Sequence, residues 1–296
     1  MQVIVFGAGS LGSLVGGMLA RTHDVTLVGR QAHVEHVQRD GLQIVGAIEA
    51  WLEPTAVTTV PDGSFDLAVV TVKAFDTADA ADALTRCDLD AALSLQNGLG
   101  NEARLADALE CPVLAGTCTY GARLLGPGRV ECTGQGEVTL GPPDGGDSAV
   151  ADGVGAGFEA AGLQTTVATD MPRRLWEKLA VNAGINAVTA LARVENGALV
   201  EGPAGGPARQ AAIETAQVAR ERGIDLSDDA AADAVERVAD ATAANRSSML
   251  QDVDAGERTE VDAINGAVVE QAEQPVPVNE TLVALLRAWE RAQGVR

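Results

Sequence analysis

Residues 3–20 read VIVFGAGSLGSLVGGMLA. An apolar strand over residues 3–6 runs into Gly7, Gly9 and Gly12, which spell G-x-G-x-x-G, and a helical pattern of small and apolar side chains follows over 11–20. In that order each glycine has a task. The first permits a tight turn, the second lets backbone approach a pyrophosphate, and the third packs helix on strand, with the helix N-terminus facing the anion. Gly7, Ala8, Gly9, Ser10, Leu11 and Gly12 are therefore expected to hold a dinucleotide's pyrophosphate, against the plain alternative of a structural glycine turn. The same run could pass for a signal peptide or membrane span, with Gly12 and Gly16 mimicking the small-residue spacing of membrane helices. No basic stretch precedes it and glycines interrupt it, so that reading is set aside.

Outward from this segment, strand and helix signals alternate: strands over 25–28, 67–72, 91–95 and 113–119, helices over 78–84 and 102–109. This is a doubly wound, Rossmann-type α/β pattern. Two short extended runs, 129–132 and 137–140, suggest a hairpin added to the sheet; GPPDGGD over 141–147 is a loop, and a last helix and strand fall within 149–167. Beyond Pro172 the strand signal disappears. Helices are expected over 173–191, 208–222, 228–253 and 259–272, with a final one after Pro277. The boundary is placed near Asp170, giving an expected dinucleotide-binding Rossmann-type domain over 1–170 and an all-α domain over 171–296, expected to close in the substrate and carry the catalytic residues.

Composition narrows the function. At 296 residues, two domains are the natural division. The net charge of -21, from 42 acidic residues spread along the chain, describes a salt-adapted cytoplasmic protein and disfavours nucleic acid or an anionic membrane as partner. Cys87, Cys111, Cys118 and Cys132 show no CxxC spacing and read as reduced thiols. His23, His33 and His36 crowd one stretch without a completing ligand, so they read as surface residues and no metal is expected. A homodimer is left open.

Only two lysines occur, Lys73 and Lys178, against nineteen arginines. Arginine replaces lysine as a surface cation but not as a proton donor, because a guanidinium stays protonated. Both lysines are therefore expected at the chemistry. Lys73 ends the buried strand in TVKAFDT (71–77), and ligands of open α/β sheets bind beyond the carboxyl ends of strands. Asn97, in QNGLG (96–100), stands at the end of the next strand, although an Asn-Gly pair alone is often only a turn. Arg30 follows the second strand where an acid would bond the ribose 2′-hydroxyl of NAD, so NADP is expected, the arginine pairing with the 2′-phosphate. A solvent-facing arginine at a loop start is the alternative.

In RLWEKLAVNAGINAVTALA (174–192), Lys178, Asn182 and Asn186 stand at i, i+4 and i+8, within about 80° of arc on one helix face. Such residues are expensive to bury without partners, so they are expected to face a polar cleft or to form a satisfied structural network.

With GAGSLG, TVKAFDT, QNGLG, GTCTYGA (116–122), LWEKLAVNAGINAVTAL, VENG (194–197), NRSSMLQD (245–252) and TEVDAING (259–266), the chain resembles the ketopantoate reductases over nearly its whole length. The resemblance implies reduction of 2-dehydropantoate to (R)-pantoate with NADPH, on the route to pantothenate and coenzyme A, with hydride transfer in the cleft between the domains. By matched position, Gly7 to Gly12 would hold the pyrophosphate, Arg30 and Lys73 the adenosine phosphate end, and Asn97 and Ala122 the region of the nicotinamide. Lys178 would be the general acid. Asn97, Asn182, Asn186, Asn196, Asn245, Ser247 and Ser248 would serve the substrate, and Glu260 would lie where substrate and cofactor meet. Arg246 departs from the family, a neutral side chain being more familiar there. Two rivals stand beside this: another two-domain dehydrogenase of a small 2-oxo or 3-hydroxy acid, and a non-catalytic NADP-binding sensor.

The residue types suit the chemistry independently. Hydride delivery to a ketone builds negative charge on oxygen, which an ammonium can both stabilise and protonate. Neutral amides can fix a carboxylate without adding charge.

Overall fold

The computed structural model describes residues 1–296. Met1–Gln96 with Gly100–Met171 form one compact unit, and Asn97–Leu99 with Pro172–Arg296 form a second. The three-residue turn Asn97–Leu99 thus belongs to the helical unit although the sequence on both sides of it belongs to the other.

The first unit runs β1 (Gln2–Phe6), α1 (Ser10–Leu19), β2 (Asp24–Val28), α2 (Gln31–Asp40), β3 (Leu42–Gly46), β4 (Ala50–Leu52), β5 (Thr55–Val57), β6 (Gly63–Phe65), β7 (Leu67–Val70), α3 (Thr77–Leu84) and β8 (Cys87–Leu89). It continues with β9 (Ala92–Ser94), α4 (Asn101–Ala108), β10 (Val113–Cys118), β11 (Gly121–Gly126), β12 (Arg129–Gly134), β13 (Val138–Gly141), α5 (Ala149–Ala160) and β14 (Thr165–Val167). The main sheet has the order β14-β13-β10-β9-β7-β1-β2-β5 and is parallel except where β13 meets β10. Alternation along β1 shows why its strands are apolar throughout. Val3 and Val5 enter a core shared with Leu14, Val15 and Met18 of α1, while Ile4 enters the opposite core with Ala80, Ala81 and Leu84 of α3 and Leu105 of α4. Both faces are covered, as the sequence predicts for a doubly wound sheet.

The expected hairpin over 129–140 does not form. β12 pairs instead with β11 and β3 in a separate four-stranded sheet of order β11-β12-β3-β4, whereas β13 joins the main sheet beside β10. Periodicity shows two extended runs correctly, but strand partners are chosen by distant residues. Strands β3, β4 and β5 are additions that the sequence pattern does not predict. The histidines are corrected too: His33 is only 5% exposed, its Nδ1 accepts the Gly128 N–H at 3.1 Å, and its Nε2 lies 3.2 Å from Ser13 Oγ. It ties α1 and α2 to the β11–β12 turn as a core residue.

The second unit is helical: α6 (Met171–Ala192), α7 (Ala198–Glu201), α8 (Gly205–Glu221), α9 (Asp228–Ala241), α10 (Ser248–Ala255), α11 (Asn265–Gln271) and α12 (Pro277–Gln293). Its core is small and aliphatic, with Ala183, Ala187, Ala208, Ala211 and Ala212 fully buried among Leu, Ile and Val. The single helix expected over 228–253 is two. α9 stops at Thr242, and Ser247 restarts the chain by accepting the Leu250 N–H at 3.1 Å, an N-cap within the expected helix. The helix expected over 259–272 is confined to α11; the segment ahead of it is irregular, and its Thr259 N–H is taken by a side chain of α12. No helix is long and apolar enough to cross a membrane. Residues 3–20 divide into β1, the glycine turn and α1.

Candidate active site

The glycine turn is held from three sides. Gly7 and Ala8 donate their N–H groups to Val28 O at 3.0 and 2.9 Å, and Thr71 Oγ1 donates to Gly7 O at 2.9 Å. Gly7 has φ +108°, and a Cβ on Gly12 would lie 2.2 Å from Gly7 O and 2.5 Å from Thr71 Oγ1, so both positions are dictated by the protein's own packing. Gly9 is different: its φ of -85° suits any residue, and a Cβ there would meet only Gly7 O, at 3.9 Å. Gly9 is the N-cap of α1 and offers no side-chain cap, so the first N–H groups of the helix, on Ser10, Leu11 and Gly12, lack the partner a Ser or Asp would supply. A glycine that the protein itself does not need, beside uncapped helix donors, fits a pyrophosphate lying across the turn. The Ser10 hydroxyl is engaged elsewhere, accepting Leu124 N–H from β11 at 3.0 Å.

Arg30 is exposed at the N-cap of α2, directly beyond β2, with no ion pair to hold it. Lys73 is half-buried at the entry to a 3-10 turn (Ala74–Asp76) beyond β7. Ala122 lies on β11, half-buried against the core that α1 also enters, at a register shift with β12.

Asn97 belongs with the second unit, and there it meets the polar stripe of α6. Asn97 Nδ2 donates to Glu260 Oε2 at 3.1 Å, and Asn182 Nδ2 donates to Asn97 Oδ1 at 3.4 Å. Asn97, Asn182 and Glu260 therefore form one connected group. Lys178 stands one turn before Asn182 on the same helix, half-buried, and Asn186, 6% exposed, one turn after. Glu260 is only 5% exposed, and its main-chain carbonyl accepts from Ala263 and Ile264 N–H, both at 3.1 Å. An ammonium, a buried carboxylate and amides on one surface can stabilise and protonate an oxyanion while holding a carboxylate.

The remaining predicted residues gather near the end of α6. Asn196 N–H donates to Asn245 O at 3.0 Å and Asn196 Nδ2 to Thr242 Oγ1 at 2.9 Å, while Asn196 Oδ1 is buried with no protein donor. Ser247 Oγ lies 2.8 Å from Thr189 Oγ1. Asn245 and Ser248 have exposed side chains that the structure does not join to this group. Arg246 points to solvent and pairs with Asp254, which also pairs with Arg193 of the α6 C-terminus.

Sequence reasoning passes over several residues that brace this surface. Asn265 Nδ2 donates to Ala183 O, between Asn182 and Asn186 on α6, at 3.1 Å, and to Asn279 Oδ1 at 2.9 Å. Asn279 in turn donates from Nδ2 to Glu214 Oε2 at 2.8 Å. Asn265 lies within the TEVDAING motif, but its partners are far off in the chain.

The sequence profile described as Ketopantoate reductase PanE/ApbA matches residues 3–145, and that of its C-terminal part, Ketopantoate reductase PanE/ApbA C terminal, matches 170–290. The chain belongs to the ketopantoate reductase family. Among relatives, it is 45% identical over 302 residues to the 2-dehydropantoate 2-reductase of Halobacterium salinarum, covering 98% of this chain and 99% of that one. It is 41% identical over 294 residues to the enzyme of the same name from Archaeoglobus fulgidus, covering 98% of each. Among solved structures, a PanE/ApbA family ketopantoate reductase from Ralstonia eutropha JMP134 superposes with a TM-score of 0.90 at 33% identity, over 99% of this chain and 100% of that one. A ternary structure of D-mandelate dehydrogenase with NADH and anilino(oxo)acetate gives 0.93 at 25% identity, over 100% of both. The fold class and the oxidoreductase family expected from the motifs are thereby established.

Proposed function

We propose that this chain reduces 2-dehydropantoate to (R)-pantoate with NADPH, in pantothenate and coenzyme A biosynthesis. The observation that carries the reading is the connected group of Asn97, Asn182 and Glu260 on the same surface as Lys178. When bound, NADPH supplies the hydride. The glycine turn with the uncapped start of α1 would hold the pyrophosphate, Arg30 and Lys73 the adenosine phosphate end, and Ala122 and Asn97 the nicotinamide end. Lys178 Nζ donates the proton to the ketone oxygen as it gains charge, and Arg cannot replace it. Asn182, Asn186 and Asn196, with Ser247, hold the carboxylate and hydroxyl. Glu260, joined to Asn97, orients the ammonium or accepts from a substrate hydroxyl.

Preference for NADPH over NADH rests on Arg30, a cation free to meet a 2′-phosphate just beyond β2. The likeness to D-mandelate dehydrogenase favours one second reading, a reductase of another small 2-oxo acid. The deciding experiment follows NADPH oxidation with 2-dehydropantoate and with phenylglyoxylate across a salt series, with NADH run beside it. Faster turnover of phenylglyoxylate would replace the pantoate reading with the second one, and no oxidation with any 2-oxo acid would refute both.

A further inference from the structure

Glu260 lies on a segment without regular structure, between α10 and α11, so something other than a helix ladder must fix it. The residue before it is held from α12. Glu290 Oε1 accepts both the Thr259 N–H at 2.9 Å and the Thr259 hydroxyl at 2.6 Å. Glu290 Oε2 accepts from Arg296 Nη1 at 2.6 Å. The residue two places after Glu260 is held as well: Asp262 accepts from Arg287 Nε at 2.8 Å and from Arg296 Nη2 at 2.7 Å. Despite the burial that opposes it, the Asp262 carboxyl is kept below its ordinary range by its hydrogen bonds to these two arginines.

Glu290 itself is 0% exposed. Burying a carboxylate is costly, and a pairing guanidinium with additional hydrogen bonds does little more than offset that cost. An apolar residue would fill such a site more cheaply, so what the carboxylate supplies is direction. It aims two acceptor bonds at Thr259, and Thr259 Oγ1 in turn accepts the Val261 N–H at 3.3 Å, closing a small ring around Glu260. The far side of the segment meets the Asn97 turn. Leu99 N–H donates to Ala263 O at 3.4 Å, and a Cβ on Gly98 would lie 2.4 Å from that oxygen. The Glu260–Asn97 bond is therefore set by a chain of contacts that begins on α12.

We propose that Glu290 is a positioning residue for the reduction, acting through Thr259 to place the Glu260 carboxylate against Asn97. The proposal rests on the reading that Glu260 serves the reaction. A displacement of a catalytic-site group by ~1 Å can lower turnover by about 100-fold, so a loss of roughly ten- to hundredfold in kcat is expected when the clamp is released.

The test compares Glu290→Gln, Thr259→Val, Thr259→Ser, Glu260→Ala and the double variants with Glu260→Ala, each counted by NADPH fluorescence titration and measured well below its Tm. The expected result is that Glu290→Gln and Thr259→Val lower kcat with the NADPH Kd unchanged, that Thr259→Ser restores most of it, and that neither lowers kcat further once Glu260 is alanine. If Glu290→Gln fails to fold, Thr259→Val with its serine control carries the test. Normal kcat in Thr259→Val, or losses that multiply in the Glu260→Ala background, would overturn the proposal while leaving Glu260 in place. Normal kcat in Glu260→Ala would instead remove the reading on which it stands, and the proposal with it.

Discussion

Replacing Gly9 and Gly12 by alanine, one at a time, separates what the fold requires from what a ligand requires. At Gly12 the new methyl would stand 2.2 Å from Gly7 O and 2.5 Å from Thr71 Oγ1, both under the 3.0 Å that real Cβ contacts respect. Relief needs a backbone movement of roughly 1 Å in a turn already pinned to Val28 and Thr71, an overpacking cost of about 1–3 kcal/mol or more. At Gly9 the methyl finds one neighbour at 3.9 Å and a permitted φ of -85°. There the substitution should leave the unliganded protein unchanged or raise its stability by about 0.4–1 kcal/mol, through the reduced freedom of the unfolded chain. Binding should behave in the opposite way. If the pyrophosphate lies across the turn as proposed, a methyl at Gly9 would occupy the path by which backbone meets it, and loss of one hydrogen bond to a charged group, about 1.5–3 kcal/mol, would weaken NADPH by roughly 10- to 150-fold. Thermal melts without ligand, beside NADPH titrations by fluorescence, measure both quantities. With NADPH near 100 Kd the parent protein gains about 2.7 kcal/mol, and Gly9→Ala should lose roughly half to nine-tenths of that increment. A Gly9→Ala protein that melts as early as Gly12→Ala, or that binds NADPH with parental affinity, would refute the reasoning.

Three further outcomes are expected. Lys178→Ala should keep the NADPH Kd nearly unchanged and lower kcat by about 100-fold or more, with Lys178→Arg little better because a guanidinium does not release its proton; near-normal turnover in either would remove the general acid. Arg30→Ala should raise the KM for NADPH much more than that for NADH, and an equal rise for both would dismiss the 2′-phosphate contact. Burial, and then the charge of neighbouring His36, hold the His33 pKa below its ordinary 6.5, so the fold favours the neutral ring whose Nδ1 accepts from Gly128. That contribution is complete above pH 6.5 and is lost as pH falls through the folded value, so Tm should drop on acidification below about 6.5 and drop less steeply in His33→Gln. A Tm whose pH dependence is the same in the two proteins would show that His33 carries no such linkage.

Much of the fold and part of the candidate site are legible in the amino-acid sequence. The strand, turn and helix of residues 3–20 are written in a local pattern, because a glycine fingerprint and an apolar period need only neighbours in sequence to be read. The same holds for the stripe of Lys178, Asn182 and Asn186, which follows from helix geometry alone. Where a pattern is short, the sequence names the element and misses its partner. Runs 129–132 and 137–140 are extended as expected, yet they enter different sheets, since a strand's neighbour is selected by side chains far away in the chain. Ser247 interrupts what reads as one long helix and starts a new one, through a cap on Leu250 that lies inside the expected helical run.

The division of labour is sharpest at the candidate site. Sequence by itself determined the two-unit α/β and helical organisation, the family, and the face of α6 that carries an ammonium and amides. Only tertiary structure decided that Asn97, flanked on both sides by the first unit's sequence, packs with the second and joins Asn182 to Glu260. It alone turned His33 inward and brought Glu290 onto Thr259 across 31 positions. Periodicity records which side of an element is buried, a property of neighbouring residues. A hydrogen bond between distant residues depends on how whole elements pack, and that is settled only when the chain closes on itself.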